Sequence, residues 1–185
     1  MNRYPITVAG LKRSLPICPV NETLSIGAFV IFGDAPLTQA CAAALLEKAP
    51  DYDYLLTAEA KGIPLAHEMA RQRGDDHYFV ARKKPKLYMT EVFHVNVRSI
   101  TTQGEQNLYL DAADARMMRG KRILLVDDVI STGESLAAIE ELARQAGGQI
   151  CGKMAILAEG DAQKRQDIIY LEKLPLFHPD GAVKT

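Results

Sequence analysis

The chain has 185 residues, 48% of them hydrophobic and 24% charged, with a formal net charge of −1. That length fits one domain around a single substantial core. The balanced charge excludes broad counterion-driven binding of nucleic acid, and no apolar run approaches the length of a membrane span.

Residues 1–23 contain Pro5, Pro16 and Pro19 with little periodicity, and are expected to form a loose arm or part of a hood. Residues 26–32 read as a strand and 36–49 as a helix. Strand 53–56, helix 64–73 and strand 78–81 follow. Residues 92–97 and 108–110 read as the arms of a β excursion, with a polar flap at 98–107 between them. Strand 123–126 leads into a helix from Ser135, which Gly147 and Gly148 end. Strands at 150–158 and 168–171 complete the pattern. Alternating strands and helices predict an α/β fold, a mostly parallel twisted sheet with helices on both faces. No repeat or linker divides residues 1–185, so a single domain is expected.

One segment says more than the rest. Ile123–Leu124–Leu125–Val126 is a continuous apolar run, as for a strand buried on both faces of a parallel sheet. Asp127 and Asp128 follow directly. Then come Val129, Ile130 and the turn Ser131–Thr132–Gly133–Glu134–Ser135, where a helix begins. A turn between the carboxyl end of a strand and a helix start is where open α/β sheets bind ligands. Unpaired N–H groups and the positive dipole end suit a phosphate there. Gly133 allows close approach, and Ser131, Thr132 and Ser135 add hydroxyls. Two adjacent acids are costly unless they accept hydrogen bonds or work with a cation. Ribose hydroxyls and a magnesium-bound diphosphate meet both needs.

This segment resembles the phosphoribosyl diphosphate (PRPP) motif of the type I phosphoribosyltransferases. The resemblance implies that Asp127 and Asp128 bind ribose and act in catalysis. It implies that Ser131, Thr132, Gly133, Glu134 and Ser135 wrap the 5-phosphate, with Glu134 contributing only its amide. Thr57–Ala58–Glu59–Ala60–Lys61–Gly62–Ile63 is similar to the family's diphosphate loop, with Lys61 where Arg or Ser often stands. Arg82–Lys83–Lys84–Pro85–Lys86–Leu87 resembles the Arg-Lys-x-Gly-Lys-Leu run of the adenine-type enzymes, with Pro85 in place of Gly. The implied diphosphate contacts are Glu59, Ala60, Lys61, Gly62, Arg82, Lys83 and Lys86. Magnesium is the implied cofactor, held mainly through diphosphate and water.

The flap departs from the adenine pattern. Thr102 stands where that pattern has a glutamate, and Gln103 where it has a tyrosine. Ser99, Thr101 and Gln103 are more like the flap of bacterial xanthine enzymes. Leu24–Ser25–Ile26–Gly27–Ala28–Phe29 resembles the base-covering segment of those enzymes, although Ile31 replaces their asparagine. Leu24, Phe29, Val129 and Phe177 are the expected base contacts, and Phe177 is read either as stacking on a flat base or as a core or dimer contact.

The expected activity is that of a purine phosphoribosyltransferase, a pentosyltransferase of nucleotide salvage. It joins a purine base to PRPP and releases diphosphate. The alternative is a non-enzymatic PRPP-sensing regulator, because Lys61–Gly62–Ile63–Pro64–Leu65–Ala66 also resembles the effector domain of a purine repressor. The family usually forms homodimers. No basic-then-apolar leader opens the sequence, so a cytoplasmic protein is expected. Cys18, Cys41 and Cys151 form no metal-binding pair, and the histidines are scattered.

Overall fold

The computed structural model describes residues 2–89, 91–98 and 105–184. Residues 3–21 are not a loose arm. They form a hairpin of β1 (Arg3–Val8) and β2 (Leu11–Asn21), and β2 pairs onward with β3 (Leu24–Gly27). Ile6, Val8 and Leu15 point inward and are buried, an alternation that the prolines mask in the sequence. Pro5 sits on the edge strand β1, and Pro19 opens a register shift in β2. Both are places where a missing N–H is tolerated.

Helix α1 (Ala35–Leu46) starts at Asp34, whose carboxylate accepts the Leu37 N–H. Arg13 of β2 donates to the same carboxylate at 2.8 Å, fastening the hairpin to the helix. Strand β4 (Tyr54–Ala58) leads into α2 (Ile63–Arg73), which ends on left-handed Gly74. A short β5 (Phe79–Ala81) precedes the hairpin of β6 (Val92–Arg98) and β7 (Glu105–Asp111). Of the segment expected as a flap, residues 98 and 105–107 belong to these strands. Residues 99–104, with Ser99, Thr101, Thr102 and Gln103, lie outside the described residues. Helix α3 (Ala112–Met118) follows, capped by the Asp111 side chain. At seven residues it is too short for apolar periodicity to mark it in the sequence.

Strand β8 (Arg122–Ile130) runs through both acids, and α4 (Glu134–Gln145) begins four residues later. Gly147 and Gly148 end it as expected, donating to the carbonyls of Arg144 and Ala143. Strand β9 (Gln149–Glu159), a 3-10 turn at Gly160–Lys164 and β10 (Ile169–Leu174) complete the main layer. Two short strands, β11 (Leu176–Phe177) and β12 (Val183–Lys184), follow where the sequence reading had its last strand earlier.

The central sheet has the order β10-β9-β8-β4-β5, and every pairing in it is parallel. Strand β8 stands in the middle, which explains its unbroken apolar run. Leu124 and Val126 face one core with Leu37 and Leu45 of α1 and Leu65 and Met69 of α2. Ile123 and Leu125 face another core with Leu136, Ile139 and Leu142 of α4 and Leu108 and Leu110 of β7. Helices thus cover both faces. The second sheet, β1-β2-β3-β11-β12, is the hood. Among the described residues, no helix is long and apolar enough to cross a membrane.

Candidate functional site

The carboxyl ends of β4 and β8 lie side by side, with Leu56 paired to Leu125. Whatever follows each strand therefore meets at one edge. After β4 comes the turn Glu59–Lys61, with a cis peptide between Glu59 and Ala60. After β8 come the two acids and the turn into α4. Between them lies a cavity of about 310 Å³, lined by Glu59, Ala60, Lys61, Lys83, Asp127 and Asp128, with Val129, Leu108 and Ser135. A smaller hollow of about 100 Å³ adjoins it at the start of α4. Ser131, Thr132, Gly133 and Ser135 line that hollow, and Asp127 borders both.

The acids are dealt with differently. Both line the cavity, but their surroundings differ. Asp128 is buried and accepts a hydrogen bond from Lys61 Nζ at 2.7 Å. Asp127 is half-buried at the cavity wall and accepts the Asp128 backbone N–H at 2.8 Å. Burial, and then the neighbouring charge of Asp128, push its carboxyl up to about 7. A carboxylate in that position favours a cation or a donor brought by a ligand.

Glu59 gathers the basic run. Its carboxylate accepts the Lys83 N–H at 3.2 Å and lies 3.3 Å from Lys86 Nζ and 3.4 Å from Arg82 Nη1. Burial works to raise this carboxyl, but the Lys83 amide, Lys86 and Arg82 outweigh it and hold it low. The Arg82 backbone pairs with Tyr109 of β7, so the basic run is tied to the cavity mouth. Of the expected diphosphate residues, Glu59, Arg82, Lys83 and Lys86 are thereby brought together, and Lys61 turns to Asp128. Glu59, Ala60, Lys61 and Lys83 line the cavity, while Gly62, Arg82 and Lys86 do not. Glu59 reaches Arg82, Lys83 and Lys86 through its carboxylate.

Gly62 caps α2 because nothing larger fits. A Cβ there would stand 2.1 Å from Thr57 Oγ1 and 3.3 Å from Asp127 Oδ1. Gly133 is the N-cap of α4 with φ of 83°, a left-handed conformation suited to glycine. Glu134 is the first residue of α4, and its N–H lies 3.5 Å from Thr132 Oγ1. Its side chain does not line either hollow.

The expected base contacts divide. Val129 lines the main cavity. Leu24 is in the hood strand β3, and Phe29 is buried in the core beneath α1. Phe177 is fully buried, packed edge-on against Tyr4 with ring centroids 5.2 Å apart. That contact takes its ring into the hood, so Phe177 does not present a face to a base.

Other groups near the site escaped the sequence reading. Thr57 is fully buried, and its hydroxyl has no partner among the described residues. Glu159, at the end of β9, is buried beside the turn 131–135 and takes a hydrogen bond from Ser131. Burial pushes its carboxyl up. Arg165 lies against Gly133. Its only local signal is a cation two residues before Asp167.

The fold and site define an α/β protein with a hydroxyl- and glycine-rich turn and a twin-carboxylate cavity at one sheet edge. The sequence profile of the phosphoribosyl transferase domain matches residues 35–175. The chain belongs to that family. It is 33% identical over 113 residues to the hypoxanthine/guanine phosphoribosyltransferase of Methanococcus voltae, covering 61% of this chain and 56% of that protein. The hypoxanthine/guanine phosphoribosyltransferase of Methanothermus fervidus is 30% identical over 115 residues, covering 62% and 57%. The match therefore spans under two thirds of these relatives. Among solved structures, adenine phosphoribosyltransferase from Thermoanaerobacter pseudethanolicus superposes with a TM-score of 0.71 at 21% identity, covering 86% of this chain and 95% of that one. The adenine enzyme of Rhodothermus marinus gives 0.63 at 24% identity, covering 78% and 83%.

Proposed function

We propose that the protein is a magnesium-dependent purine phosphoribosyltransferase of nucleotide salvage. It transfers ribose 5-phosphate from PRPP to a purine base and releases diphosphate. The observation that carries this reading is the joined pair of hollows, with Asp127 at their boundary. A sugar there has its phosphate at the start of α4 and its hydroxyls at the acids. Relatives named as hypoxanthine/guanine enzymes support the purine assignment.

Catalysis on this reading is mostly positioning and charge stabilisation. The turn 131–135 anchors the phosphate and fixes the anomeric carbon. Asp127 and Asp128 orient the ring and favour the positive charge that grows on it as the C1–O bond breaks. Lys61, Lys83, Arg82 and Lys86 face the departing diphosphate. The donor set suits magnesium carried on diphosphate and water. Among the described residues, no three carboxylates, histidines or cysteines form a protein cage for a metal, and Asp127 offers one hard oxygen at the cavity wall. Magnesium supplies charge neutralisation to the leaving group when bound. A homodimer in the cytoplasm, as is usual for such enzymes, completes the proposal.

The test is incubation with PRPP, magnesium and, in turn, adenine, hypoxanthine, guanine and xanthine. Nucleoside monophosphate and stoichiometric diphosphate should form with at least one base. PRPP binding without product from any base would replace the enzyme with a PRPP-sensing regulator.

A further inference from the structure

Arg165 stands outside every segment assigned above. It follows the 3-10 turn after β9, and its guanidinium is gripped from one edge. Nε donates to Asp167 Oδ1 at 2.9 Å, and Nη2 to Oδ2 at 2.7 Å. This fork fixes the plane of the group. The remaining nitrogen, Nη1, points the other way. It lies so close to Gly133 that a Cβ on that residue would stand 2.5 Å from it.

Gly133 is the N-cap of α4. A fixed cation beside the positive end of a helix is unfavourable on its own. It becomes favourable when an anion joins both. The surrounding charges sharpen the point. Asp167 is shared with Lys153 at 3.1 Å, Lys153 reaches Glu140 of α4 at 2.6 Å, and Glu140 also takes Arg144. Three cations and two carboxylates leave this chain of ion pairs with one net positive charge. The turn 131–135 itself carries only the negative Glu134. The turn offers a phosphate dianion amides and hydroxyls, and a neighbouring cation adds a charge-assisted bond that the turn itself lacks.

We propose that Arg165 is a further binding residue for the sugar 5-phosphate, its Nη1 donating to a phosphate oxygen beside Gly133. Asp167 is its positioning residue, holding the guanidinium with Nη1 turned to Gly133. The small residue at 133 then has two causes: the left-handed backbone, and room for the guanidinium. This inference rests on the transferase reading of the turn, and it adds a residue that the turn motif does not contain.

The test separates the two ends of the substrate. Ribose 5-phosphate and magnesium diphosphate are titrated separately, by calorimetry, into wild type, Arg165→Gln, Arg165→Lys and Asp167→Asn. Loss of a charge-assisted hydrogen bond should weaken ribose 5-phosphate by about tenfold or more in Arg165→Gln. Magnesium diphosphate should bind all four proteins alike, showing that the fold and the other subsite survive. Arg165→Lys keeps the charge but not the fork, and should fall between wild type and Arg165→Gln. Asp167→Asn should weaken ribose 5-phosphate less than Arg165→Gln does. Equal ribose 5-phosphate affinity in wild type and Arg165→Lys or Arg165→Gln overturns the inference alone. Parallel loss of both ligands in the variants overturns it too, because Arg165 would then serve the fold. A wild type that binds neither ligand overturns the transferase reading, and this inference with it.

Discussion

Replacing Gly62 with alanine tests how tightly the two halves of the site are built together. The backbone at Gly62 has φ of −71° and accepts any residue, so conformation does not demand glycine. Space does. The added Cβ meets Thr57 Oγ1 at 2.1 Å and the Asp127 Cα at 3.4 Å. Ordinary contact is about 3.5 Å, so more than an ångström of overlap with Thr57 has to be relieved. Thr57 is β-branched and fully buried, with few rotamers to adopt. Overpacking of this kind costs about 1–3 kcal/mol. The stiffer unfolded chain returns about 0.4–1 kcal/mol. Gly62→Ala should therefore be destabilised by about 1–2 kcal/mol, a fall in Tm of about 2–8 °C. Thr57→Ala removes the clashing atoms, so the double variant should regain most of the loss. The assay is a double-mutant cycle in urea and by thermal melting, with a coupling of about 1–2 kcal/mol expected. A Gly62→Ala protein as stable as wild type, with an additive cycle, would refute the packing argument.

Two further outcomes follow from the charges. Asp127 has its carboxyl raised to about 7 in the folded chain, against about 4 unfolded. Between those values the folded chain keeps a proton that the unfolded chain has released, so this group's contribution to stability falls as pH rises. Wild type should lose on the order of 1–3 kcal/mol relative to Asp127→Asn between about pH 4 and 7.5. Carboxylates held low, such as Asp53 and Glu68, occur in both proteins and cancel; parallel stability curves would exclude the raised group. Lys61→Met strips the buried Asp128 of its cation. It should cost about 1–3 kcal/mol, less than for a fully buried pair because Lys61 is half exposed. Asp128→Asn added to Lys61→Met should restore most of that in a chemical melt, and no restoration would contradict the pairing.

The main sheet and its site were legible because their signals are continuous in the chain. Ile123 to Val126 is apolar without alternation, and a strand buried on both faces needs that pattern. The acids, the turn and the helix start follow within a few residues, so local sequence alone describes the hollow at the start of α4. The hood was harder. Pro5, Pro16 and Pro19 hide an inward alternation of Ile6, Val8 and Leu15 that an edge strand and a bulge tolerate. Helix α3 is a short segment with few apolar positions to mark a face. Phe177 looked available because a two-residue strand gives no periodicity, yet pairing with β3 turns it onto Tyr4. Thr57, Glu159 and Arg165 come to the site through parallel strand ends and a 3-10 turn. Their proximity depends on tertiary pairing that no local pattern encodes.

Calorimetric titration of PRPP, with magnesium, into wild type and the Asp127→Asn/Asp128→Asn double variant probes the twin-carboxylate pocket most directly. Wild type should bind one PRPP per chain, while a double variant with an intact fold by circular dichroism should bind at least tenfold more weakly. Equal affinity in the two proteins would contradict the placement of the sugar at these carboxylates.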